Sequence, residues 1–527
     1  MQNDSTNTNT ARPIPPPPLS PPPQPPPPPP SEPQQLPSMP TVRPWERPAH
    51  AFKVPARRKE WRWEDIDFPP GFLGDLARLC HETQMRPSKP FAINNAMVLG
   101  GVLESGKVVV DSNLAPNEYA LHIAPPNGGK QRNLTFPQDV LRQIGVRSRH
   151  ISGGVTSRPA GMKALARTQH FPVLLIQQDE AAGILRNASN AANGRGGTTG
   201  ADSMVRFLTE ALTIGLSDLL SESTRDDQGI SIHAPAVNLV WCVQPVTLAR
   251  VVSIAMFQSG AMGRFTFAVE PELQGNLQTT APTIECLLQI EGWAEWTCSV
   301  LDRARTLWNY LPNREPHEAM NMEEAEDAFE SWLGTKKEEQ PRKCPVVPIR
   351  PIHFGIDPEA ELLFEEFLQW TMALANRGSY EEQHSQNLVW GRACELAKKK
   401  ALKIAGARCI LDGKPPVIIP EEAEWSIHAA EASIRDVLEW WETFGGDRQQ
   451  RHQTRIYLHI KKQKGWVKQG QITKKFNGEI ERDDRAKALE QLVQSGKLEM
   501  RPVPPGKKGG APTHEYRIAR KRRGNDA

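Results

Sequence analysis

The sequence predicts an α/β protein: a core built on a parallel sheet with a phosphate-binding loop, a helical extension, and a small C-terminal winged-helix domain. Three observations carry that expectation. Apolar runs at Tyr119–Ile123, Val173–Ile176 and 236–245 alternate with helical patterns and end on polar residues, as buried parallel strands do. The first run feeds Ala124-Pro125-Pro126-Asn127-Gly128-Gly129-Lys130, which neither helix nor strand can absorb. Residues 451–527 carry three short helical patterns and two strand-like runs joined by a Gly-rich turn.

The chain opens with 19 prolines between Ala11 and His50, a composition that cannot bury a core. Residues 1–60 therefore read as a disordered tail of polyproline character, either a spacer or a PxxP ligand for a protein partner. Order begins near Trp61. Phe72, Leu73, Leu76, Leu79 and Cys80 share a helical face behind a Pro-Gly entry, 92–105 is apolar enough for a buried helix, and 107–111 reads as a strand. The loop follows, then a helix over FPQDVLRQIGV. A Gly-rich turn with Thr156-Ser157 starts another helix, and the run from Val173 closes in Asp179-Glu180.

Residues 186–203 are Asn/Gly-rich and read as a mobile surface loop. The polar stretch 222–229 leads in hairpin fashion into a strand, and 236–245 is a further apolar strand ending on Gln244. The turn 259–271 carries Arg264 just ahead of one more strand. Two Trp-rich helical regions, 283–335 and 357–450, flank a linker, which sets the expected domains at 61–340, 341–450 and 451–527.

Seven scattered cysteines without CxxC spacing, and histidines without ligand spacing, give no sign of a zinc site or a disulfide framework. The sequence shows no basic-then-apolar leader and no run of 18 apolar residues. A soluble cytoplasmic protein without membrane contact is expected.

Nucleotide hydrolysis needs phosphates cradled, a metal placed, a water activated and developing charge neutralised. Asn127, Gly128 and Gly129 would turn backbone N–H groups toward phosphates at a helix N-terminus, with Lys130 reaching the outer phosphates of ATP. Ala124 stands where a first glycine is usual, and Gln131 where a Ser or Thr would hold Mg2+. By itself the loop is equally compatible with an ordinary Gly-Pro turn. Asp179 would hold the metal and Glu180 would orient the attacking water. Gln244 would sense the terminal phosphate, and Arg264 would reach a neighbouring subunit's nucleotide. The bland alternatives are a solvated strand end for the acidic pair and structural contacts for Gln244 and Arg264.

Over 451–527 there are 20 Lys/Arg against 8 Asp/Glu, a balance that suits phosphate contacts along DNA. The third helix would enter the major groove with Asp484, Arg485 and Lys487, while Lys507 and Lys508 on the wing and the Arg520–Arg523 run would grip the backbone. A winged helix that binds protein instead remains the alternative.

Together, APPNGGK, SGGVTSRPAGMKAL, VLLIQQDEAAGIL, NLVWCVQP and GAMGRF resemble the YfjI-like P-loop ATPases of prophages, plasmids and genomic islands, which are similar to the helicase halves of primase-helicases. The resemblance spans roughly residues 65–275 and the C-terminal winged helix. It implies a P-loop NTPase core of RecA/AAA-like type, with Lys130 on phosphate, Asp179 and Glu180 on metal and water, and Arg264 acting in trans. The expected function is a ring-forming, DNA-binding, helicase-like ATPase serving replication of a mobile element, with Thr224 and Arg225 facing a central pore. A nucleotide-gated DNA-binding regulator that does not hydrolyse ATP is the alternative, and an adaptor acting through the tail a third.

Overall fold

A computed structural model describes residues 59–504 and 513–519, apart from positions 112, 127, 156, 187–206, 209, 213–218, 223–229, 271–280, 313–321, 336–349, 381, 445–447, 464 and 479. They belong to one compact unit, Val54–Ala527. The proline-rich tail, nearly all of the Asn/Gly-rich loop, Asn127, Thr224, Arg225, Lys507, Lys508 and the Arg520–Arg523 run lie outside the described residues.

The chain runs through α1 (Phe72–Glu82), α2 (Lys89–Glu104), β1 (Val108–Val110), β2 (Tyr119–Ile123), α3 (Lys130–Gln143), β3 (Ile151–Gly153), α4 (Arg158–Ala166) and β4 (Val173–Gln178). A two-stranded hairpin of β5 (Leu219–Glu222) and β6 (Ile230–His233) precedes β7 (Ala236–Val243), α5 (Pro245–Val251) and β8 (Thr266–Val269). Next come α6 (Ala294–Asn309), α7 (Met322–Gly334), β9 (Ile352–Ile356), α8 (Pro358–Tyr380), α9 (Ala393–Asp412), β10 (Val417–Ile418) and α10 (Pro420–Phe444). Among the described helices, none is long and apolar enough to cross a membrane.

Five parallel strands form the central sheet in the order β3-β4-β7-β2-β8. All eight residues of β7 and all five of β2 are buried, because helices cover both faces. The strand period of two divides the side chains between two cores: Leu121 and Ile123 join Trp241 and Phe267 on one face, while Ala120 joins Val240, Leu175 and helices α1, α2 and α3 on the other. Helix α2 is apolar on every side and buried from Phe91 to Glu104; Ser88 caps its start by accepting from Phe91 N.

The outer edge is closed without a further strand. Phe267 N and Val269 N of β8 donate to Ser433 Oγ (2.7 Å) and Asp436 Oδ2 (3.0 Å) on α10, so a helix covers the edge strand's free donors. Residues 341–450, expected as a separate helical domain, share the core on that face: Phe364, Leu402, Ile427 and Trp440 pack with the sheet residues. Strand β9, absent from the sequence expectation, pairs in parallel with β1, two segments about 240 residues apart.

Beneath the sheet, the run of lysines on α9 is buried rather than solvated. Lys400 Nζ (2.6 Å) and Lys403 Nζ (2.7 Å) each meet one oxygen of Glu118, the residue before β2, and Lys399 Nζ meets Asn117 Oδ1 at 3.0 Å. The pairs anchor α9 to the foot of the central strand.

The C-terminal elements are α11 (Arg448–Lys462), β11 (Val467–Lys468), α12 (Gln469–Phe476), α13 (Arg482–Gln494), β12 (Leu498–Val503) and β13 (Thr513–Ile518). Three helices pack on an antiparallel sheet in the order β11-β13-β12, around Ile456, Ile472, Phe476, Leu489, Leu492 and Tyr516. Leu489 and Leu492 face inward as expected, with Val493 packed partly buried beside them.

Candidate functional site

Because the sheet is parallel, the segments leaving β2, β4, β7 and β8 emerge at one edge, where open α/β sheets bind ligands. Registers place the segments closely. Ile123 pairs with Val243, so the loop's first residue, Ala124, is level with Gln244, and Ala124 N donates to Val243 O at 3.1 Å. Gln178 pairs with Trp241, so Asp179 stands beside Cys242, and Ala181 N donates to Cys242 O at 2.9 Å. Cys242 Sγ in turn lies 3.8 Å from Lys130 O. Burial pushes the Cys242 thiol above its ordinary range; Asp179 adds to that, Lys130 opposes it and Glu180 adds again. The buried Cys242 thus lies between the start of α3 and the turn after β4 at the mouth of the sheet.

Space requires the first of the loop's glycines and backbone conformation the second. A Cβ on Gly128 would sit 2.8 Å from Ala124 Cβ and 3.0 Å from Pro125 O. Gly129 has φ +76° and faces the backbone of Arg86, with Arg86 O at 3.5 Å from a would-be Cβ. Helix α3 begins at Lys130, six residues before the helical pattern expected from FPQDVLRQIGV, so its free N–H groups open directly at the glycines.

That early start puts Pro137 inside the helix, where it cannot donate to Asn133 O. Asn95 Nδ2 supplies the missing donor at 3.0 Å. The Asn133 side chain completes a brace: Nδ2 donates to Gly129 O (3.0 Å), and Oδ1 accepts from Gln84 Nε2 (2.6 Å) and Asn95 Nδ2 (3.2 Å). Gln84, Asn95 and Asn133 are fully buried. None was singled out from the sequence; the one available signal was the presence of two asparagines in an otherwise apolar helix, at Asn94-Asn95.

Asp179 and Glu180 are exposed, with Glu180 N donating to Asp179 Oδ1 at 3.0 Å. Glu180 has φ +52°, a left-handed conformation that costs a non-glycine residue roughly 1 kcal/mol or more. The turn aims both carboxylates outward from the strand end. Gln244 is half-buried at the start of α5, its carbonyl accepting from Leu248 N at 2.9 Å. Gln131 is exposed.

Arg264 lies elsewhere. It precedes β8, so it sits at the opposite end of the sheet from the loop, near Tyr119 and Trp241. Its Nη1 donates to Gly260 O at 2.7 Å, while Nε is buried without a hydrogen-bond partner. Burial, and then Arg392, lower the guanidinium's pKa.

Beside the loop lies a cleft of about 1060 Å³ reaching Gly128. Its walls include Arg86, Ser88, Glu270, Trp440 and Lys461. Arg86 is a further cation next to the glycines, and its Nε has no hydrogen-bond partner. Ser88 Oγ donates to Glu270 Oε1 at 2.7 Å, and burial raises the Glu270 carboxyl.

In the C-terminal unit, Lys487 is exposed on α13 but Arg485 is not. Arg485 is buried and donates Nη1 to Ile480 O at 3.1 Å, bracing the turn before its own helix. This corrects the expectation that Arg485 reaches DNA: its helical position points it at the core, where the backbone carbonyl satisfies it.

No family model matches this sequence, and neither does any curated protein, so membership of the YfjI-like family gains no support from them. A solved structure of the Aeropyrum pernix ORC1 protein in complex with DNA is similar over 81% of this chain and 89% of its own, at 13% identity and a TM-score of 0.19. A likeness that weak supports no conclusion about fold or function.

Proposed function

We propose that this chain is a nucleotide-dependent, DNA-associated ATPase with a P-loop NTPase core of RecA/AAA-like type and a C-terminal winged helix. The observation that carries the reading is that the glycine loop leading to Lys130 and the Asp179-Glu180 turn leave the same edge of a five-stranded parallel sheet, on either side of Cys242. Strand β7, inserted between the loop strand and the acidic strand, sets those groups one strand apart. The gap leaves room for the terminal phosphate of ATP.

In this reading the Gly128 and Gly129 amides and the start of α3 cradle the phosphates, and Lys130 neutralises their charge. Gln131 follows in the first turn of α3. Mg2+ would supply charge neutralisation between the outer phosphates, and the exposed Asp179 carboxylate is a hard-oxygen ligand that suits it. Glu180, held outward by its left-handed turn, orients the attacking water, and Gln244 contacts the terminal phosphate. Arg264 cannot reach its own chain's loop from the far end of the sheet, so its service is to a neighbouring subunit in a homo-oligomer. DNA would meet the C-terminal unit through Lys487, Lys507 and Lys508. Helicase activity, ring assembly and service to a mobile element rest on the family resemblance alone.

ATP binding and turnover, with and without single-stranded DNA, test the reading beside Lys130→Ala and Glu180→Gln. Lys130→Ala is expected to weaken ATP binding at least tenfold. Glu180→Gln should keep binding and lose turnover by about a hundredfold or more. Wild-type protein that binds no ATP would sink the proposal. Gln131, exposed where a hydroxyl would hold the metal, favours the second reading, a switch that binds ATP without hydrolysing it. Tight binding with no turnover in any condition selects that reading.

A further inference from the structure

Away from the phosphate loop, two histidines and a carboxylate that are distant in sequence meet inside the protein. His150, His170 and Glu326 are 0%, 1% and 3% exposed, and their ligand atoms all lie within 4.8 Å of one another. His150 Nε2 is 2.6 Å from Glu326 Oε1, and His170 Nε2 is 3.1 Å from the same oxygen but out of hydrogen-bond alignment. His170 Nδ1 has no hydrogen-bond partner either. A ring buried to that degree with both nitrogens unsatisfied costs stability unless something else occupies the point it faces.

We propose that His150 Nε2, His170 Nε2 and the Glu326 carboxylate form a structural site for a divalent transition-metal ion of the zinc class. Imidazole nitrogen and carboxylate oxygen are ligand types that zinc accepts, and three protein donors leave one tetrahedral position for an enclosed water. The outer contacts suit a ligand set. His150 Nδ1 lies 2.8 Å from Val173 O, so it carries the proton and Nε2 is the nitrogen left to bind. Arg149 Nε, 3.0 Å from Glu326 Oε2, orients the carboxylate.

Donors around a tetrahedral ion with bonds of roughly 2.0–2.1 Å stand about 3.3 Å apart, so Glu326 Oε1, 2.6 Å from His150 Nε2, has to withdraw from it by about 0.7 Å to admit one. Binding would displace the proton shared between His150 Nε2 and Glu326 Oε1. The ion would tie α7 to the residue before β3 and to the turn before β4, the strand that carries Asp179 and Glu180. The ion-free competitor is a His150 imidazolium paired with Glu326.

Metal analysis of the tag-free full chain, expressed with zinc and exhaustively desalted, decides between them. About one ion per chain is expected, falling to near zero in His170→Ala and Glu326→Gln while Lys130→Ala keeps its metal. Replacement by Co(II) should give visible ligand-field bands of a four-coordinate N/O site. A wild-type protein that carries no metal and takes up no Co(II) overturns the proposal. Equal metal content in the two ligand variants overturns it as well, because the ion then sits elsewhere. If either variant fails to fold, the wild-type Co(II) titration alone gives the answer.

Discussion

Replacing Asn133 with leucine tests whether the phosphate loop is held by the polar brace beneath it. Leucine fills a similar volume and removes three hydrogen bonds: to Gly129 O at 3.0 Å, from Gln84 Nε2 at 2.6 Å and from Asn95 Nδ2 at 3.2 Å. Their partners are not equally stranded. Asn95 Nδ2 keeps the Asn133 backbone carbonyl at 3.0 Å, and Gly129 O keeps a long 3.5 Å contact with Asn133 N. Gln84 Nε2 is left with Cys80 Sγ at 3.5 Å, a weak acceptor. One buried donor lost in full and one acceptor in part amount to about 2–3 kcal/mol. Urea unfolding of the full chain reads that loss. ATP affinity should fall about tenfold, equivalent to about 1.4 kcal/mol, as Gly129 leaves its left-handed conformation more readily. Gln84→Leu in the same background removes the stranded donor but also the acceptor of Ser88 N, at 2.5 Å, so it should cost less there than it does alone. The brace is refuted if Asn133→Leu stays within about 0.5 kcal/mol of wild type, or if Gln84→Leu adds its full cost on top.

The left-handed turn at Glu180 predicts that Glu180→Gly is more stable than Glu180→Ala by about 1 kcal/mol, although both lose turnover; equal stabilities in thermal unfolding would remove strain from the account. Glu118→Gln should cost about 3–5 kcal/mol by leaving Lys400 and Lys403 buried without their counter-charge. Burial pushes the Glu118 carboxyl up, but Lys400 and Lys403 outweigh it and hold it at about 2. A carboxylate depressed from about 4.3 stabilises fully above that pH and loses its contribution as the pH falls through 2. The wild type should therefore show a steeper acid slope than Glu118→Gln between about pH 4 and 2, and parallel slopes would contradict the pairing. In the C-terminal unit, Lys487→Ala should weaken DNA binding across sequences and reduce its salt slope by about 1. Arg485→Ala should instead lower stability, since its partner is Ile480 O, and a DNA-binding loss without unfolding would reverse that assignment.

The strands that build the candidate mouth were legible because their signal is local. Val173–Ile176 is apolar without interruption, and Tyr119–Ile123 and 236–243 are interrupted only by His122 and Asn238, as suits strands covered on both faces. The polar residues that follow them fall at one edge once the strands are parallel, and the candidates Lys130, Asp179, Glu180 and Gln244 all follow strands at that edge. What the runs could not reveal was their order. The insertion of β7 between β2 and β4 is a choice among pairings that all bury the same side chains.

Polar burial defeated the sequence reading for a different physical reason. Hydropathy treats a lysine or an asparagine as solvated, so it gives no sign that Lys399, Lys400 and Lys403 of α9 or Asn133 of α3 are buried. Each is buried because a partner from a distant segment satisfies it: Glu118 lies 282 residues before Lys400, and Gln84 lies 49 before Asn133. Arg485 inverts the same error, since a positive charge on the third helix suggested DNA and found a carbonyl five residues back. The His150–Glu326 meeting, 176 residues apart, belongs to this class, which is why no ligand spacing announced it. Local pattern thus locates where the chain opens to solvent and ligand, whereas the polar groups that fix that opening in place are defined only by the folded partner across from them.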